Sequence, residues 1–324
     1  MRSNGGFGMF AKTNSRRIST AILILLISLS AWPSEANAKK KKPMPKGERV
    51  IWRAPADIGS RDLFLGPGGT AMKPNLRRIK FIKEETGGYS KKYRIRDGSG
   101  RIWVAKVGKE AQSETAAVRL LWAAGYVTEV NYLVPRLRIP DQGTFENVRL
   151  EARPASQKRL DEWKWDENPF VGSRAFTGLK TMMMLFNNWD IKDSNNVVIL
   201  SHGPRGNELR YVISDLGATF GKTGTLPLFW RISRSRNNPE DYEKAKFVEG
   251  VRDNGMVNFR YGGRKREIFD DISVPQAKWL GELLSGLSTD QIKDAFRAAN
   301  YDPEEIGILT EAVQDRIEQL RSLP

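Results

Sequence analysis

Hydrophobic and polar residues alternate along much of the chain between residues 76 and 152, which is the pattern of half-buried strands. Turn sequences separate these runs, and Asp97-Gly98-Ser99-Gly100 is the clearest hairpin signal among them. A second turn lies at Pro140 to Gly143. The runs that we predict as strands are 78–82, 93–96, 101–107, 132–139 and 147–152. This part of the chain is therefore predicted to form a small lobe rich in β-structure.

Apolar residues with helical spacing occur once between the predicted strands. After residue 153 this spacing is the main pattern. The first predicted helix covers residues 110–125 and ends at Gly125. After a break at residues 153–156, an apolar stripe from Phe176 to Phe186 indicates a second helix. Later helices are predicted at 242–251, at 275–285, after Ser288, and at 302–323. We therefore expect an α+β fold with two lobes, residues 76–152 and residues 153–324.

Residues 1–38 have the pattern of a signal peptide. Two arginines precede the apolar run 18–32, and Ala36-Asn37-Ala38 forms an A-x-A cleavage site. The run is shorter than the roughly 20 apolar residues that span a bilayer. We expect an exported protein, periplasmic or extracellular, with an uncleaved anchor as the alternative. Residues 39–75 are predicted to be a basic arm followed by an irregular lead-in.

The amino-acid composition excludes several kinds of catalytic and binding site. The chain has no cysteine, one histidine and a formal net charge of +15. Thiol chemistry and disulfides are therefore excluded, and a single histidine disfavours a zinc site or a Ser-His-Asp hydrolase. The basic run Lys39–Lys42 is expected to contact an anionic surface of the cell envelope. The remaining positive charge suits a phosphate-bearing ligand, whereas the absence of zinc-finger and ribonucleoprotein motifs does not favour nucleic acid.

Residues 187–196 carry the densest group of candidate catalytic side chains. They include Asp190-Ile191-Lys192, and Asn195 follows five positions after Asp190. Two short apolar runs then lead to Asp215-Leu216-Gly217. Carboxylate and amide oxygens from two neighbouring segments are ligands that Mg²⁺ accepts. The alternative interpretation is that these residues only form turns between a helix and a hairpin.

This arrangement resembles the catalytic loop and the D-F-G segment of protein kinases. The resemblance implies that Asp190 accepts a proton from the acceptor hydroxyl and that Lys192 contacts the moving phosphate. It also implies that Asn195 and Asp215 hold Mg²⁺. The expected architecture is a two-lobed protein-kinase-like fold, with a small β-rich amino-terminal lobe and a mainly helical carboxy-terminal lobe.

A glycine-bearing turn between the first two predicted strands adds to the resemblance. Its sequence, Gly87-Gly88-Tyr89-Ser90-Lys91-Lys92, is similar to the phosphate loop of HipA-type kinases, with lysine in place of a proline. The resemblance implies that Gly87, Gly88, Ser90 and Lys91 bind the phosphates of ATP. Backbone N–H groups around paired glycines can form an anion-binding nest.

Lys106 lies at the end of an otherwise apolar predicted strand, in the sequence Val104-Ala105-Lys106. A charge that points toward a core needs a partner. Glu114, in the helix that follows, is the candidate partner, and Glu110 is the alternative. The resemblance implies that Lys106 binds the nucleotide phosphates, and that backbone groups at residues 151–153 face the adenine.

Together these patterns resemble atypical kinases of the HipA type, phosphoinositide-kinase-like enzymes and secretory-pathway kinases. They predict an exported phosphotransferase that uses ATP and Mg²⁺ to phosphorylate a hydroxyl on a protein or small molecule. Asn188 stands where typical protein kinases have histidine, and Leu216 where they have phenylalanine. The alternatives are nucleotidyl transfer on the same fold, a degenerate kinase that binds without catalysis, and a basic binding protein of the cell envelope.

Overall fold

The structure is a computed structural model that describes residues 43–87, 90–203, 206–224 and 233–324. The predicted signal peptide, the Lys39–Lys42 arm and Gly88 lie outside the described residues. Their predicted roles therefore stay predictions.

The segment predicted to be an irregular lead-in contains a strand, β1 (Glu48–Val50), and one turn of 3₁₀ helix at Gly66–Gly68. Strand β1 pairs in parallel with residues 208–210. Further on, the N–H group of Val127 donates to the carbonyl of Ile51 and the N–H group of Arg53 donates to the carbonyl of Gly125. The expectation of an irregular segment was wrong for these residues, because a three-residue strand is too short to show a periodic pattern.

Five antiparallel strands form the sheet of the amino-terminal lobe, in the order β2-β3-β4-β6-β5. Their bounds are β2 Lys80–Glu85, β3 Lys92–Arg96, β4 Ile102–Lys106, β5 Asn131–Ile139 and β6 Gly143–Ala152. One face buries apolar side chains that include Tyr93, Trp103 and Leu150. Because side chains alternate along a strand, the residues between these point to the opposite face. That face carries Lys106.

Helix α1 (Glu110–Ala123) follows β4 directly and is buried along most of its length. It lies between the five-stranded sheet and the carboxy-terminal helices, where it contacts β5, β6 and the helix at residues 289–297. Gly125, with φ of 95°, follows the end of helix α1, as the sequence predicted.

The carboxy-terminal lobe combines helices with two small sheets. Its helices are α2 Arg174–Leu185, α3 Pro239–Lys244, α4 Val274–Leu284, α5 Thr289–Arg297 and α6 Pro303–Arg321. Capping boxes at Ser273, Ser288 and Asp302 start the last three. Its strands are β7 Gln157–Arg159, β8 Asn196–Gly203, β9 Gly206–Ile213, β10 Val248–Val251 and β11 Val257–Phe259. Strand β1 joins β7, β8 and β9 in the order β1-β9-β8-β7.

One predicted helix, at residues 242–251, is shorter than expected. Helix α3 ends at Lys244, and Val248–Val251 pairs with β11. Two β-branched valines and Gly250, whose φ is 148°, favour an extended chain over a helix at this point.

Residues Pro45–Pro324 belong to one compact unit, within which the β-rich lobe precedes the mainly helical one. This arrangement confirms the expected two-lobed α+β fold. Among the described residues, no helix is long and apolar enough to cross a membrane.

Candidate functional site

Lys106 lies at the end of β4 with its side chain almost completely buried. Its Nζ atom is 2.9 Å from Glu114 Oε2, 2.9 Å from Glu110 Oε2 and 3.2 Å from Asp215 Oδ1. Glu110 and Glu114 are one helical turn apart on α1, so both reach the same ammonium group. The sequence had presented the two glutamates as alternatives, and the structure brings both to Lys106.

Electrostatics keep Lys106 charged. Burial by itself would lower the pKa of Lys106, but the carboxylates of Glu114 and Asp215 more than offset this effect, and the pKa is raised above its ordinary value. Burial would likewise raise the pKa of Asp215, yet Lys106 and the N–H group of Gly217 hold that pKa below its ordinary value. An ammonium and a carboxylate therefore face each other in the cleft at neutral pH.

A row of charged side chains continues from Lys106 along β6. Arg149 Nε is 3.2 Å from Glu114 Oε2, and an Arg149 terminal nitrogen is 2.7 Å from Glu151 Oε2. Arg153 contacts both Glu151 and Glu129. The role of these charged side chains was not predicted, although their alternation with apolar Val148, Leu150 and Ala152 is a signal that one strand face is charged.

The backbone of this strand is already hydrogen-bonded. The N–H group of Ala152 donates to the carbonyl of Val130, and the N–H group of Arg153 donates to the carbonyl of Ile102. Pro154 has no N–H group to offer. The N–H groups of Ala152 and Arg153 are therefore already committed, and the expectation that backbone groups near residues 151–153 face an adenine stays a prediction for the other backbone groups.

Asp190 follows helix α2 through a turn in which Asn187 has a positive φ of 53°. The Asn195 side-chain nitrogen donates to the carbonyl of Asp190 at 2.7 Å. This bond closes the loop between the two predicted site residues. Asp190 Oδ2 is 2.6 Å from Lys192 Nζ, and Asp190 Oδ1 is 3.0 Å from Arg264 Nε. Both carboxylate oxygens of Asp190 therefore contact a cation.

Strands β8 and β9 form the hairpin that brings Asp215 back to Asn195. The N–H groups of Ser214 and Asp215 approach the carbonyl of Asn195 at 2.7 and 3.3 Å. Asp215 Oδ1 accepts from the N–H group of Gly217 at 3.1 Å as well as from Lys106. A Cβ atom on Gly217 would lie 2.6 Å from the Cβ of Glu110, so only glycine allows this close approach to α1.

Described residues of the glycine-bearing turn line the same cleft as Lys106 and Asp190. Gly87, with φ of 107°, and Ser90 line it, and the Ser90 hydroxyl donates to Glu110 Oε2 at 2.6 Å. Lys91 lies elsewhere: its ammonium is 5.2 Å from the centre of the Tyr93 ring. Lys92 lines the cleft instead, which differs from the predicted site by one position.

The segment after Gly217 contacts the loop at residues 187–196 through Trp189. The Trp189 indole N–H donates to the carbonyl of Ser235 at 2.8 Å. The guanidinium carbons of Arg234 and Arg236 lie 4.2 and 4.9 Å from the indole ring centre. Arg236 also contacts Glu110 on α1, so this segment reaches the opposite lobe.

These side chains surround one cleft of about 600 Å³. Eight basic residues and four acidic residues are among those that line it, and the balance favours an anionic ligand. The basic residues are Lys92, Lys106, Arg149, Arg153, Arg159, Lys192, Arg236 and Arg264, and the acidic residues are Glu110, Glu151, Asp190 and Asp215.

The residues present fit a magnesium ion that is also bound by phosphate oxygens. The nitrogen of the Asn195 amide is committed to Asp190, so its oxygen is the atom that can serve as a ligand. Asp215 is held in its charged form beside Lys106. Within the described ranges, no group of three or more His, Cys, Asp or Glu side chains could hold a metal without such help.

Two solved kinase structures were found to be similar to this chain. A proinflammatory kinase of Helicobacter pylori, CtkA, matches with a TM-score of 0.43 and 10% sequence identity, over 77% of this chain and 94% of that one. The Rio2 kinase of Chaetomium thermophilum, in a complex with ADP, Mg²⁺ and phosphoaspartate, matches with a TM-score of 0.30 and 10% identity, over 74% and 72%. No family model and no curated protein matches the chain.

The order of elements and the geometry of the cleft define the class. A five-stranded sheet in the order β2-β3-β4-β6-β5, a helix that pairs with a strand lysine, and a hairpin between Asn195 and Asp215 all occur together. The chain has a protein-kinase-like fold of an atypical kind.

Proposed function

We propose that this protein is an atypical phosphotransferase that binds ATP with Mg²⁺ and phosphorylates a hydroxyl group. The observation that carries the proposal is the convergence of Lys106, Glu114 and Asp215 in one ion-paired group, next to the bonded pair Asp190 and Asn195. Phosphoryl transfer depends mainly on positioning and on cations placed against the phosphate charge. The cleft offers both.

In this mechanism Lys106 would bind phosphate oxygens of the nucleotide, and Asp215 and Asn195 would hold the metal. The metal, when bound, would neutralise charge that develops on the phosphates. Asp190 accepts the proton of the acceptor hydroxyl as that oxygen bonds to the γ-phosphorus and ADP leaves. Lys192, whose ammonium is 2.6 Å from Asp190 Oδ2, would contact the moving phosphate.

A second candidate is a kinase-like protein that binds nucleotide without turning it over. The ion pairs of Asp190 with both Lys192 and Arg264 favour this alternative, because both carboxylate oxygens already contact a cation and neither is open to an acceptor hydroxyl. Catalysis then requires that at least one of these contacts opens.

Replacement of Asp190 by asparagine separates the two candidates. Asp190→Asn keeps the size of the side chain and removes its charge. We expect near-normal ATP binding by calorimetry and a loss of phosphoryl transfer of roughly a hundredfold or more, since a positioned base acts in the transition state. ADP release and autophosphorylation measure the transfer without a known acceptor.

Asp166→Asn is the matched control, because Asp166 is exposed and is not among the residues that line the cleft. It should behave as wild type in both assays. Turnover that survives Asp190→Asn would contradict the assigned base. A wild-type protein that binds ATP and never releases ADP would support the binding candidate.

We also propose that the protein is exported through its amino-terminal signal sequence, residues 1–38. The support is the sequence pattern alone: two arginines, a short apolar run and the A-x-A site at Ala36–Ala38. Mass analysis of the protein recovered outside the cytoplasm should show that it begins at Lys39.

A further inference from the structure

We propose that the acceptor carries a negatively charged group beside its reactive hydroxyl, and that Arg264 binds this group and releases Asp190 in doing so. The inference rests on the proposed function and deepens it, because it names the class of acceptor. Arg264 is a specificity-determining residue in this account, and Asp190 remains the proton acceptor.

The first observation is that Asp190 is covered by two cationic side chains that are more exposed than Asp190 itself. Its two carboxylate oxygens contact Lys192 and Arg264, and only 18% of its side chain is exposed. The two cations are more accessible, with 41% of the Lys192 side chain and 45% of the Arg264 side chain exposed. A molecule that approaches Asp190 from solvent therefore meets these cations first.

The second observation is that the backbone of Arg264 is fixed against the catalytic loop. Its N–H group donates to the carbonyl of Trp189 at 3.0 Å, and the Tyr261 hydroxyl donates to the carbonyl of Arg264 at 3.1 Å. A Cβ atom on Gly263 would lie 2.7 Å from the Cα of Trp189, so the two loops touch at a glycine. The position of Arg264 is thus set, while its half-exposed guanidinium can exchange partners.

Arg264 can most readily exchange Asp190 for another anionic partner. An arginine guanidinium binds carboxylate and phosphate groups through two parallel hydrogen bonds. An anionic acceptor offers Arg264 a partner equal to the one it gives up, and Asp190 Oδ1 becomes available to the hydroxyl proton. A neutral acceptor offers no such partner and leaves Arg264 on Asp190.

The cationic side chains around Asp190 also favour an anionic acceptor. Arg236 also lines the cleft, and Lys265 holds Asp193 at 2.7 Å on the adjacent turn. A basic acceptor would have to approach Asp190 through Lys192, Arg236 and Arg264, where like charges repel it.

Binding tests the inference without any need for catalysis. The probes are a serine peptide flanked by glutamates, the same peptide with glutamines, and the same peptide with lysines. Glycerol 3-phosphate and glycerol form a second pair, which distinguishes a small phosphate ester from a peptide carboxylate. Wild type should bind the anionic member of at least one pair about tenfold more tightly than its neutral counterpart, as expected for one charge-assisted contact.

Arg264→Gln should reduce that preference to about twofold. Arg260→Gln is the matched control: Arg260 is similarly exposed on the same stretch of chain and pairs with Glu249 at 3.3 Å, and it does not line the cleft. This control should keep the wild-type preference. Equal affinity of wild type for charged and neutral probes would overturn the inference, and so would an equal loss for all probes in Arg264→Gln.

Transfer kinetics then test the release of Asp190. Arg264→Gln should lower kcat/KM for the anionic acceptor and raise it for the neutral one, because Asp190 has lost a competing partner. A parallel loss for both acceptors would contradict the release. Charge-selective binding that needs Arg264, in a protein that transfers phosphate to no acceptor, would support the binding role of Arg264 and reject the proposed phosphotransferase.

Discussion

The inner and outer ends of the cleft hold their charges in different ways. At the inner end, Lys106 and Glu114 are almost wholly buried, and the ion pair between them is closed off from water. At the outer end, Lys192 and Arg264 pair with Asp190 while more than two fifths of each cationic side chain is exposed. Both ends contain a carboxylate with more than one cation, but only the outer pairs can exchange partners freely.

This difference separates two tasks of a transfer enzyme. Buried charges cannot lose a partner without a large cost, so the inner end is suited to hold a nucleotide in one fixed geometry. Exposed ion pairs contribute little to stability, so the outer end can rearrange for each acceptor. Mutations at the inner end should therefore change the stability of the protein, and mutations at the outer end should change how it binds acceptors.

The largest expected effect is on stability, at the inner end. Lys106→Met leaves Glu114, Glu110 and Asp215 without their shared cation, and we expect the free energy of unfolding to fall by about 3–5 kcal/mol. Urea unfolding followed by circular dichroism measures it.

Lys80→Met, on the exposed part of β2, is the control and should change stability by less than about 0.5 kcal/mol. Arg264→Gln should resemble this control. If Lys106→Met and Arg264→Gln destabilise the protein equally, the proposed contrast between the two ends is wrong.

A smaller effect is expected where the two ends meet. ATP with Mg²⁺ should stabilise wild type by about 2.7 kcal/mol at a ligand concentration one hundred times the Kd. Asp215→Asn and Asn195→Ala should each reduce this shift, because each removes a metal ligand, while Asp166→Asn should not. Thermal melting with and without EDTA provides the measurement. A shift in wild type that EDTA leaves intact would show that the metal assignment is mistaken.

The smallest expected effect concerns pH. Burial and the neighbouring Glu151 raise the pKa of Glu129 from 4.5 to about 7. The folded protein therefore binds this proton more tightly than the unfolded chain, so the contribution of Glu129 to stability falls as pH rises from about 4.5 to 7.

Glu129→Gln removes this dependence. The stability of wild type relative to Glu129→Gln should fall by on the order of 1 kcal/mol across that range, measured by urea unfolding at several pH values. Glu162→Gln, at an exposed position, is the control. Parallel pH curves for wild type and Glu129→Gln would contradict the prediction.

Local patterns in the sequence were sufficient to predict the parts of the cleft that depend on short spacing. The hairpins of the amino-terminal sheet and the helix after Lys106 were predicted from periodicity and turn residues, and the loop from Asp190 to Asn195 from its resemblance to a kinase motif. Glu114 was paired with Lys106 because a buried charge needs a partner, and that contact is present at 2.9 Å.

The parts that were missed depend on contacts between distant segments. Arg264 looks like one member of an exposed basic turn until the fold brings it to Asp190. Arg149 and Glu151 have charged side chains that sequence rules place on the surface, and they are buried only because Glu114 and Arg153 neutralise them. Lys92 lines the cleft, whereas Lys91 was predicted to do so. Because successive side chains of a strand point to opposite faces, a prediction that is wrong by one residue selects a side chain on the wrong face.

Within the described residues, the chain passes between the two lobes twice, because β1 belongs to the carboxy-terminal sheet and the residues after it continue into the amino-terminal lobe. The second passage is the linker that follows β6. These two covalent connections add to the packing of α1 against α5 and to the contact of Arg236 with Glu110, so the lobes are held together at several separate places. We therefore expect the orientation of Lys106 relative to Asp190 to vary little.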